Sequence, residues 1–329
     1  MRKDEKKCTT SGIQTKHLVL VITKIGLGLS QLSNTKNKLT FGYKSKKEVV
    51  SIIKYAIKEK INFFDTANSY GETESIIGEL KKKEKLELTI ATKAGLKKNG
   101  KRSFNTRYLE NQLDQSLRKL KIDRLNIFML NKPTIKDIYN NDLVYFLEKL
   151  KKKGKIEKSG IIIGDKRGFN QIIKNKSLDF FSILFNLLDT DNLDLINNIY
   201  KHKKKVIIRS PLNSGLLSGK FDLLNKFKKG DVRLKIIKNN DYTNKIKKIN
   251  LIKDRFNLSN KDLLTLSLSF VLRNKSISSV LVGCSSLKQI KEIIFYSKRL
   301  SKINNDKFDE IVDFSRKISN KFKTSSENF

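Results

Sequence analysis

A closed (β/α)8 barrel, the TIM barrel, is the fold this sequence predicts, and three observations predict it. Short apolar runs of β type alternate eight times with longer amphipathic stretches between residues 24 and 296. Gly26-Leu27-Gly28 is followed neither by a third glycine nor by a helix, which argues against the dinucleotide turn of an open, doubly wound sheet. No internal stretch has the composition of a linker, and 329 residues suit one large barrel.

The elements follow in order. A first strand at 25–29 precedes a helix at 46–60, and a second at 62–65 precedes a helix at 73–83. The third pair is 88–92 with 106–120, and the fourth is 125–130 with 142–153. Strand five at 159–163 leads to a shorter helix at 169–174, and strand six at 180–184 to a helix at 192–201. Strand seven at 206–209 is separated from its helix, 261–272, by a long connection with a basic, Asn-rich middle. A connection of that length in one domain is usually functional or mobile. Strand eight at 279–282 and a helix at 287–296 complete the barrel, and an extra C-terminal helix is expected at 306–322. The chain therefore divides into an N-terminal extension at 1–23, one barrel domain at 24–322 and a disordered tail at 323–329.

Composition bounds the function. The formal net charge is +37, from 70 Lys and Arg against 33 Asp and Glu, which raises the question of a nucleic-acid partner. A nucleic-acid surface gathers its charge on one face beside aromatic or helical readers. Here lysine is spread along nearly every expected helix, as at Lys81-Lys82-Lys83, Lys151-Lys152-Lys153 and Lys203-Lys204-Lys205, so no specific nucleic-acid partner is expected. Cys8 and Cys284 cannot build a disulfide framework, and His17 and His202 stand too far apart to indicate a zinc site. No metal is expected. The apolar stretch from Leu18 to Ile22 is too short for a signal core or a membrane span, so a soluble, cytoplasmic setting is expected.

In a parallel barrel the active site lies at the C-terminal ends of the strands. Those positions read Asp65, Lys93, Asn131, Gly164, Arg209 and Gly283, with Tyr70 five residues beyond Asp65. Phe64-Asp65-Thr66-Ala67, followed by Tyr70-Gly71, Glu74 and Gly78, resembles the signature of the aldo-keto reductase superfamily. Ala91-Thr92-Lys93, Gly154-Lys155-Ile156, Asn186-Leu187-Leu188-Asp189, and Ser210-Pro211-Leu212 with Gly215 and Ser218-Gly219-Lys220 match in order and spacing. The likeness runs from about Lys24 to about Ile294.

The resemblance implies NADPH-dependent reduction of a small aldehyde, ketone or sugar-derived carbonyl, with NADH still open. Hydride addition leaves charge on the carbonyl oxygen, so an acid must supply a proton, and Tyr70 is the candidate. Lys93 would favour its phenolate, and Asp65 would keep Lys93 charged and oriented. Each residue alone has a plainer reading: a turn tyrosine, a helix-capping aspartate, a snorkelling lysine. Asn131 stands where most of the family has a histidine; it can donate a hydrogen bond to a carbonyl but cannot relay a proton. The family's potassium-channel β-subunit branch also has asparagine there.

By the same resemblance the cofactor's adenosine end would rest on Gly283, Ser285, Gln289 and Glu292, where a helix N-terminus suits an anion. Lys220 would clamp the pyrophosphate, and Ser210 and Leu212 belong to the cofactor-facing motif after strand seven. Helix capping is the plainer reading of Ser285 and Ser286. The nicotinamide end departs from the family: Ile162, Ile163 and Ser182 replace carboxamide-gripping side chains, and Arg209 stands where an aromatic ring often stacks. Two functions therefore remain, a reductase and a cofactor-binding regulatory or assembly protein with weak or no catalysis. Substrate choice would lie in residues 31–45 and 213–258; nothing in the sequence speaks to oligomeric state.

Overall fold

A computed structural model describes residues 20–33, 44–97, 99–140, 142–224, 241–301 and 303–322, with Phe227, Asp231 and Leu234 in the interval before 241. Runs rich in Ile, Val, Leu and Phe suit strands that are buried on both faces, as parallel strands between helices must be. Eight of them pair in chain order: β1 (Ile25–Gly28), β2 (Phe63–Asp65), β3 (Thr89–Ala94), β4 (Leu125–Asn131), β5 (Ile156–Ile162), β6 (Phe180–Leu184), β7 (Lys205–Arg209) and β8 (Ser279–Gly283). β8 returns to β1 and closes the barrel. Every ladder is parallel, with Gly28 level with both Asp65 and Gly283.

Side chains alternate across a strand, so the barrel has two cores. Phe63, Ala91, Ile127, Met129, Ile162, Phe180, Ile207 and Leu281 form the inner one. The larger outer core lies between the strands and the surrounding helices. β1 gives no bulk to the interior: a Cβ on Gly26 would stand 2.6 Å from the Phe63 ring, which takes that space. The floor is closed by Leu20 and Ile22, packed against the inner core. Thr23 N–H donates to Asn62 Oδ1 at 3.0 Å, and Asn62 Nδ2 and Thr89 Oγ1 both donate to the Val21 carbonyl. Residues 1–19 and 323–329, with Cys8 and His17, fall outside the described residues.

Around the strands run α1 (Lys46–Lys58), α2 (Thr73–Glu84), α3 (Thr106–Leu120), α4 (Ile135–Asn140), α5 (Leu143–Lys152) and α6 (Leu193–Lys201). They continue with α7 (Asp241–Phe256), α8 (Asn260–Leu272), α9 (Leu287–Ser297) and α10 (Asn305–Lys321). Ser45 and Glu48 form a capping box that starts α1, and Ser259 and Asp262 repeat it at α8. The motif residues Glu74 and Gly78 serve packing. Glu74 is fully buried and accepts a 2.7 Å hydrogen bond from Thr92 Oγ1, tying α2 to β3. Gly78 lets α2 approach α3.

One expectation is corrected. The helix expected at 169–174 is only a 3-10 turn, Phe169–Gln171. Phe169, Ile172 and Ile173 have helical spacing and are buried, but Gly168 sits in the left-handed region (φ 76) and the Asn175 side chain takes the Ser177 N–H. Those two local devices end the turn on both sides. The long connection expected after β7 is present and contains a 3-10 segment at Asn213–Ser218 and α7. The C-terminal helix is present as α10, where Ser315 Oγ donates to the Leu187 carbonyl at 2.6 Å and Phe308 stacks on Phe270. Among the described residues no helix is long and apolar enough to cross a membrane.

A Cβ on Gly78 would lie 2.4 Å from the Lys119 carbonyl oxygen and 2.7 Å from Leu120 backbone. Helix propensity favours Gly78→Ala by about 1 kcal/mol, whereas forced overpacking costs roughly 1–3 kcal/mol and here meets rigid backbone. Denaturant unfolding should therefore find Gly78→Ala less stable than the wild type; a gain in stability would contradict this packing.

Candidate active site

The alternation that fills the interior also aims the rim. Counting by two from the inner-core residues gives Phe63 to Asp65, Ala91 to Lys93, Met129 to Asn131, Phe180 to Ser182, Ile207 to Arg209 and Leu281 to Gly283. All six end residues, with Gly28 and Tyr70, line one cavity of about 430 Å³ at the C-terminal mouth. The loop after β2 brings Tyr70 in: its N–H bonds the Ala67 carbonyl at 3.0 Å, and Gly71 then takes a positive φ of 65° before α2 begins.

Asp65 and Lys93 are buried, at 9% and 6% exposure. Lys93 Nζ donates to Asp65 Oδ2 at 2.6 Å and to the Thr66 carbonyl at 2.6 Å, and lies 4.8 Å from the centre of the Tyr70 ring. Burial alone would lower the Lys93 pKa; the Asp65 carboxylate and the neighbouring Tyr70 outweigh it, so the ammonium is held above its ordinary 10.5. For Tyr70 the sum goes the other way. Burial pushes the phenol above its ordinary 10, and the pull of Lys93 does not cancel it. Lys93 acts on the phenol in the direction expected, toward phenolate, but burial outweighs it, so the phenol keeps its proton beside a protonated amine.

Arg209 Nη2 donates to the Ile163 carbonyl at 2.9 Å, while its buried Nε has no hydrogen-bond partner. Burial lowers the Arg209 pKa, as a desolvated cation requires. Beyond it the chain turns through positive φ at Ser210 (55°), Asn213 (45°), Ser214 (57°) and Gly215 (95°). Three polar side chains hold this strained path. Asn186 Nδ2 and Asn213 Nδ2 donate to Asp189 Oδ2 at 2.9 and 2.7 Å, and Asn186 Nδ2 also reaches the Ser210 carbonyl at 3.1 Å. The motif Asn186-Leu187-Leu188-Asp189 is therefore the brace of the loop carrying Ser210 and Leu212.

A second, smaller cavity adjoins the first and shares Leu212 and Gly283 with it. Its lining includes Lys220, Ser285, Gln289 and Glu292. These residues are paired with one another. Gln289 Oε1 accepts from Ser285 N–H at 2.8 Å and Ser285 Oγ at 3.1 Å, and Lys220 Nζ donates to Glu292 Oε2 across the opening. Ser286, not Ser285, caps α9, through the Gln289 N–H. Lys220 and Glu292, assigned separately from the sequence, thus meet as one ion pair. An elongated anionic cofactor fits the chemistry of the joined trough: lysine, hydroxyls and a helix start at one end, an unpartnered guanidinium N–H near the other.

Several lining residues escaped the sequence reading. Gln31, in a 3-10 turn after β1, borders both cavities, and its side chain occupies the space a Cβ on Gly283 would need, 2.0 Å from Oε1. Arg102 and Lys132 border the larger cavity. A lysine among so many carries no signal in sequence; its place after Asn131 was the one available clue. Among the described residues no group of His, Cys, Asp or Glu could hold a metal ion, and burial pushes the Cys284 thiol up to about 12.

Residues 24–315 match the model of the aldo/keto reductase family. The chain is 27% identical to an uncharacterized oxidoreductase of Bacillus subtilis, over 84% of this chain and 87% of that protein. It is 26% identical to the L-galactose dehydrogenase of Arabidopsis thaliana, over 87% and 88%, and 25% identical to the NADH-specific methylglyoxal reductase of Escherichia coli, over 70% and 77%. Among solved structures, the holo form of an aldo-keto reductase from Bacillus halodurans superposes with a TM-score of 0.71 at 21% identity, covering 89% of this chain and 92% of that one. The glycerol dehydrogenase of Gluconobacter oxydans gives 0.73 at 20% identity, covering 94% and 95%. At such identities the structural likeness speaks to the fold.

Removing one member of a buried ion pair strands the other, at a cost of about 3–5 kcal/mol. Lys93→Met alone should therefore destabilise the protein strongly, and Asp65→Asn with Lys93→Met should recover much of the loss. Chemical denaturation of the two singles and the double checks this; additive losses would show that the pair is not coupled.

Proposed function

The chain belongs to the aldo/keto reductase family, and from that premise we propose that it reduces a small aldehyde or ketone at the expense of NADPH. The observation that carries the reading is the buried Asp65–Lys93 pair beside Tyr70 in the mouth of the barrel. The reduced nicotinamide supplies the hydride when bound; the chain supplies everything else. Tyr70 donates its phenolic proton to the carbonyl oxygen as charge develops there. The phenolate left behind is stabilised by the Lys93 ammonium, which Asp65 keeps charged. Asn131 donates a side-chain N–H to the same oxygen, an orienting bond without proton transfer.

Cofactor would lie along the joined trough. Ser285, Gln289 and Lys220 would hold its anionic adenosine end, with Glu292 toward the base and Gly283, Ser210 and Leu212 along its length. Near the nicotinamide, Ser182 offers one hydroxyl and Arg209 a planar cation, whose charge disfavours the oxidised, cationic ring. A methylglyoxal reductase among the relatives is named NADH-specific, so NADPH is proposed on the Lys220, Ser285 and Gln289 set rather than on kinship. A second reading, a cofactor-binding protein with little turnover, is favoured by Asn131 and by Ile162 and Ile163 at the nicotinamide end. Saturable NADPH binding without consumption across a carbonyl panel would support that reading over the first.

Loss of a general acid lowers rates by about 10²–10⁴. Tyr70→Phe should cut aldehyde-dependent NADPH oxidation by at least about a hundredfold while NADPH fluorescence titration stays near the wild-type curve; equal turnover would sink the assignment. Because burial holds Tyr70 above its ordinary 10, its proton is retained below that pH. The reductive kcat should stay level from about pH 7 to 9 and fall only on the alkaline side. A loss of rate centred near neutrality, and absent from a variant at another titrating group, would point to a different acid.

A further inference from the structure

The larger cavity carries more positive charge than the proposed chemistry uses. Its lining holds four cations, Lys93, Arg102, Lys132 and Arg209, and one carboxylate, Asp65. That carboxylate is engaged by Lys93. Among the described residues no Asp or Glu forms an ion pair with Arg102 or Lys132, and Arg209 feels Asp189 without an ion-pair contact. On the outer surface some lysines find acids, as Lys46 does with Glu79 and Lys155 with Asp114, and many do not. Uniform lysine bias explains the outer surface. It does not by itself place three further cations in one concave mouth whose single carboxylate is already engaged.

Lys132 is held there by the fold. It follows Asn131 at the end of β4 with a positive φ of 60°, and its N–H bonds the Leu130 carbonyl two residues back at 3.2 Å. A bulky side chain adopts that backbone only under constraint. Its aliphatic stem lies over Gly164, where a Cβ would stand 3.1 Å from Lys132 Cβ and 3.2 Å from Cδ. The half-buried ammonium is pulled below its ordinary pKa by burial, then by Arg209 and Arg102, so Lys132 feels the charge of both arginines. Arg102 reaches the mouth from the base of the loop after β3, where Leu96 and Arg102 bridge as antiparallel partners. In barrel order the ends of β3 and β4 stand across from β7 and β8, whose loops carry Lys220, Ser285 and Gln289.

We propose that Lys132 and Arg102, backed by Arg209, form an anion subsite on the substrate side of the cavity, so that the preferred substrate is a carbonyl compound bearing a carboxylate or phosphate. The assignment rests on the reductase reading of the same site. Like charges gathered in a cleft raise the local concentration of an oppositely charged ligand, and an anion between them relieves their mutual repulsion.

The test joins binding to turnover. The full chain, with and without NADPH, is titrated calorimetrically with malonate and with inorganic phosphate, and compared with Arg102→Gln, Lys132→Gln and the exposed-surface control Lys83→Gln. Saturable binding of at least one anion, weakened at least tenfold by either pocket variant and not by the control, is expected. Arg102 is exposed, so its variant stays informative even if the strained Lys132 position tolerates no change. In kinetics the ratio of kcat/KM for succinic semialdehyde over butanal, or for glyceraldehyde 3-phosphate over glyceraldehyde, should fall at least tenfold in the same variants. The arm that responds separates carboxylate from phosphate. Equal anion affinity in Arg102→Gln and wild type overturns the subsite, and so does an NADPH affinity that falls in step with it, which would give these cations to the cofactor. Anion binding that depends on Arg102, with no carbonyl reduced, would keep the subsite and remove the reductase reading. Reduction of neutral and anionic carbonyls at ratios the variants do not change would do the reverse.

Discussion

The period of two along a β-strand is the constraint on which everything at the mouth depends. Once eight parallel strands close, every second side chain must face a space too narrow for more than packed apolar residues. Phe63, Met129 and Phe180 fill it, helped by the missing side chain at Gly26. The next inward position on each strand opens on solvent, and only there can a polar group face inward at acceptable cost. Asp65, Lys93, Asn131, Ser182 and Arg209 occupy those positions. A one-residue slip in β3 would exchange Lys93 for Thr92 and place the amine against α2, where Glu74 now receives the Thr92 hydroxyl.

Burial then sets the electrostatics. A lone ammonium in the Lys93 environment would be pulled below its ordinary pKa, because desolvation disfavours the charged form. Asp65 at 2.6 Å, with the neighbouring Tyr70, reverses that balance. Such a pair is a weak source of stability compared with apolar packing. Its value lies in fixing a charge and a geometry. The same burial holds the Tyr70 proton in place, so in the proposed reaction the pair would stabilise the product of proton transfer and not the resting acid. This is the differential stabilisation that acceleration requires.

Most of the barrel was legible because parallel strands and their helices write strong, separate periods into the chain. The exceptions have local causes. Phe169, Ile172 and Ile173 carry a helical period, yet Gly168 and Asn175 cut the segment to one turn. β5 begins at Ile156, three residues before the apolar run, because Glu157 and Lys158 remain partly exposed and interrupt the pattern. At the site, the strand-end residues were readable from the order of the barrel strands, and Tyr70 from the family resemblance of the motif that carries it; all of them line one cavity, save Gly164. The net direction of the Tyr70 shift was not readable, since burial is a property of the assembled loops. Nor was the Lys220–Glu292 contact, which spans 72 residues of chain. Lys132 and Arg102 were hidden by composition: in a chain of 70 basic residues, only three-dimensional placement separates a cation that faces a cavity from one that faces water.

That last distinction bears on how the two ends of the trough divide their work. At the β7–β8 end the polar groups are mutually satisfied, Lys220 by Glu292 and Gln289 by Ser285, so a ligand there must exchange existing partners for its own. At the β3–β4 end Lys132 and Arg102 have no such partners to give up, and Arg209 Nε between the two ends is buried without one. Unsatisfied buried donors are costly and are retained where something else completes them. On the proposed reading, a site with prepaired groups at one end and unpaired cations at the other would be biased toward charge on both of its occupants. The paired end would discriminate by geometry, because only a ligand that matches every displaced bond gains. The unpaired end would discriminate by charge, because a well-placed anion would relieve the repulsion that Arg209 and Arg102 exert on Lys132.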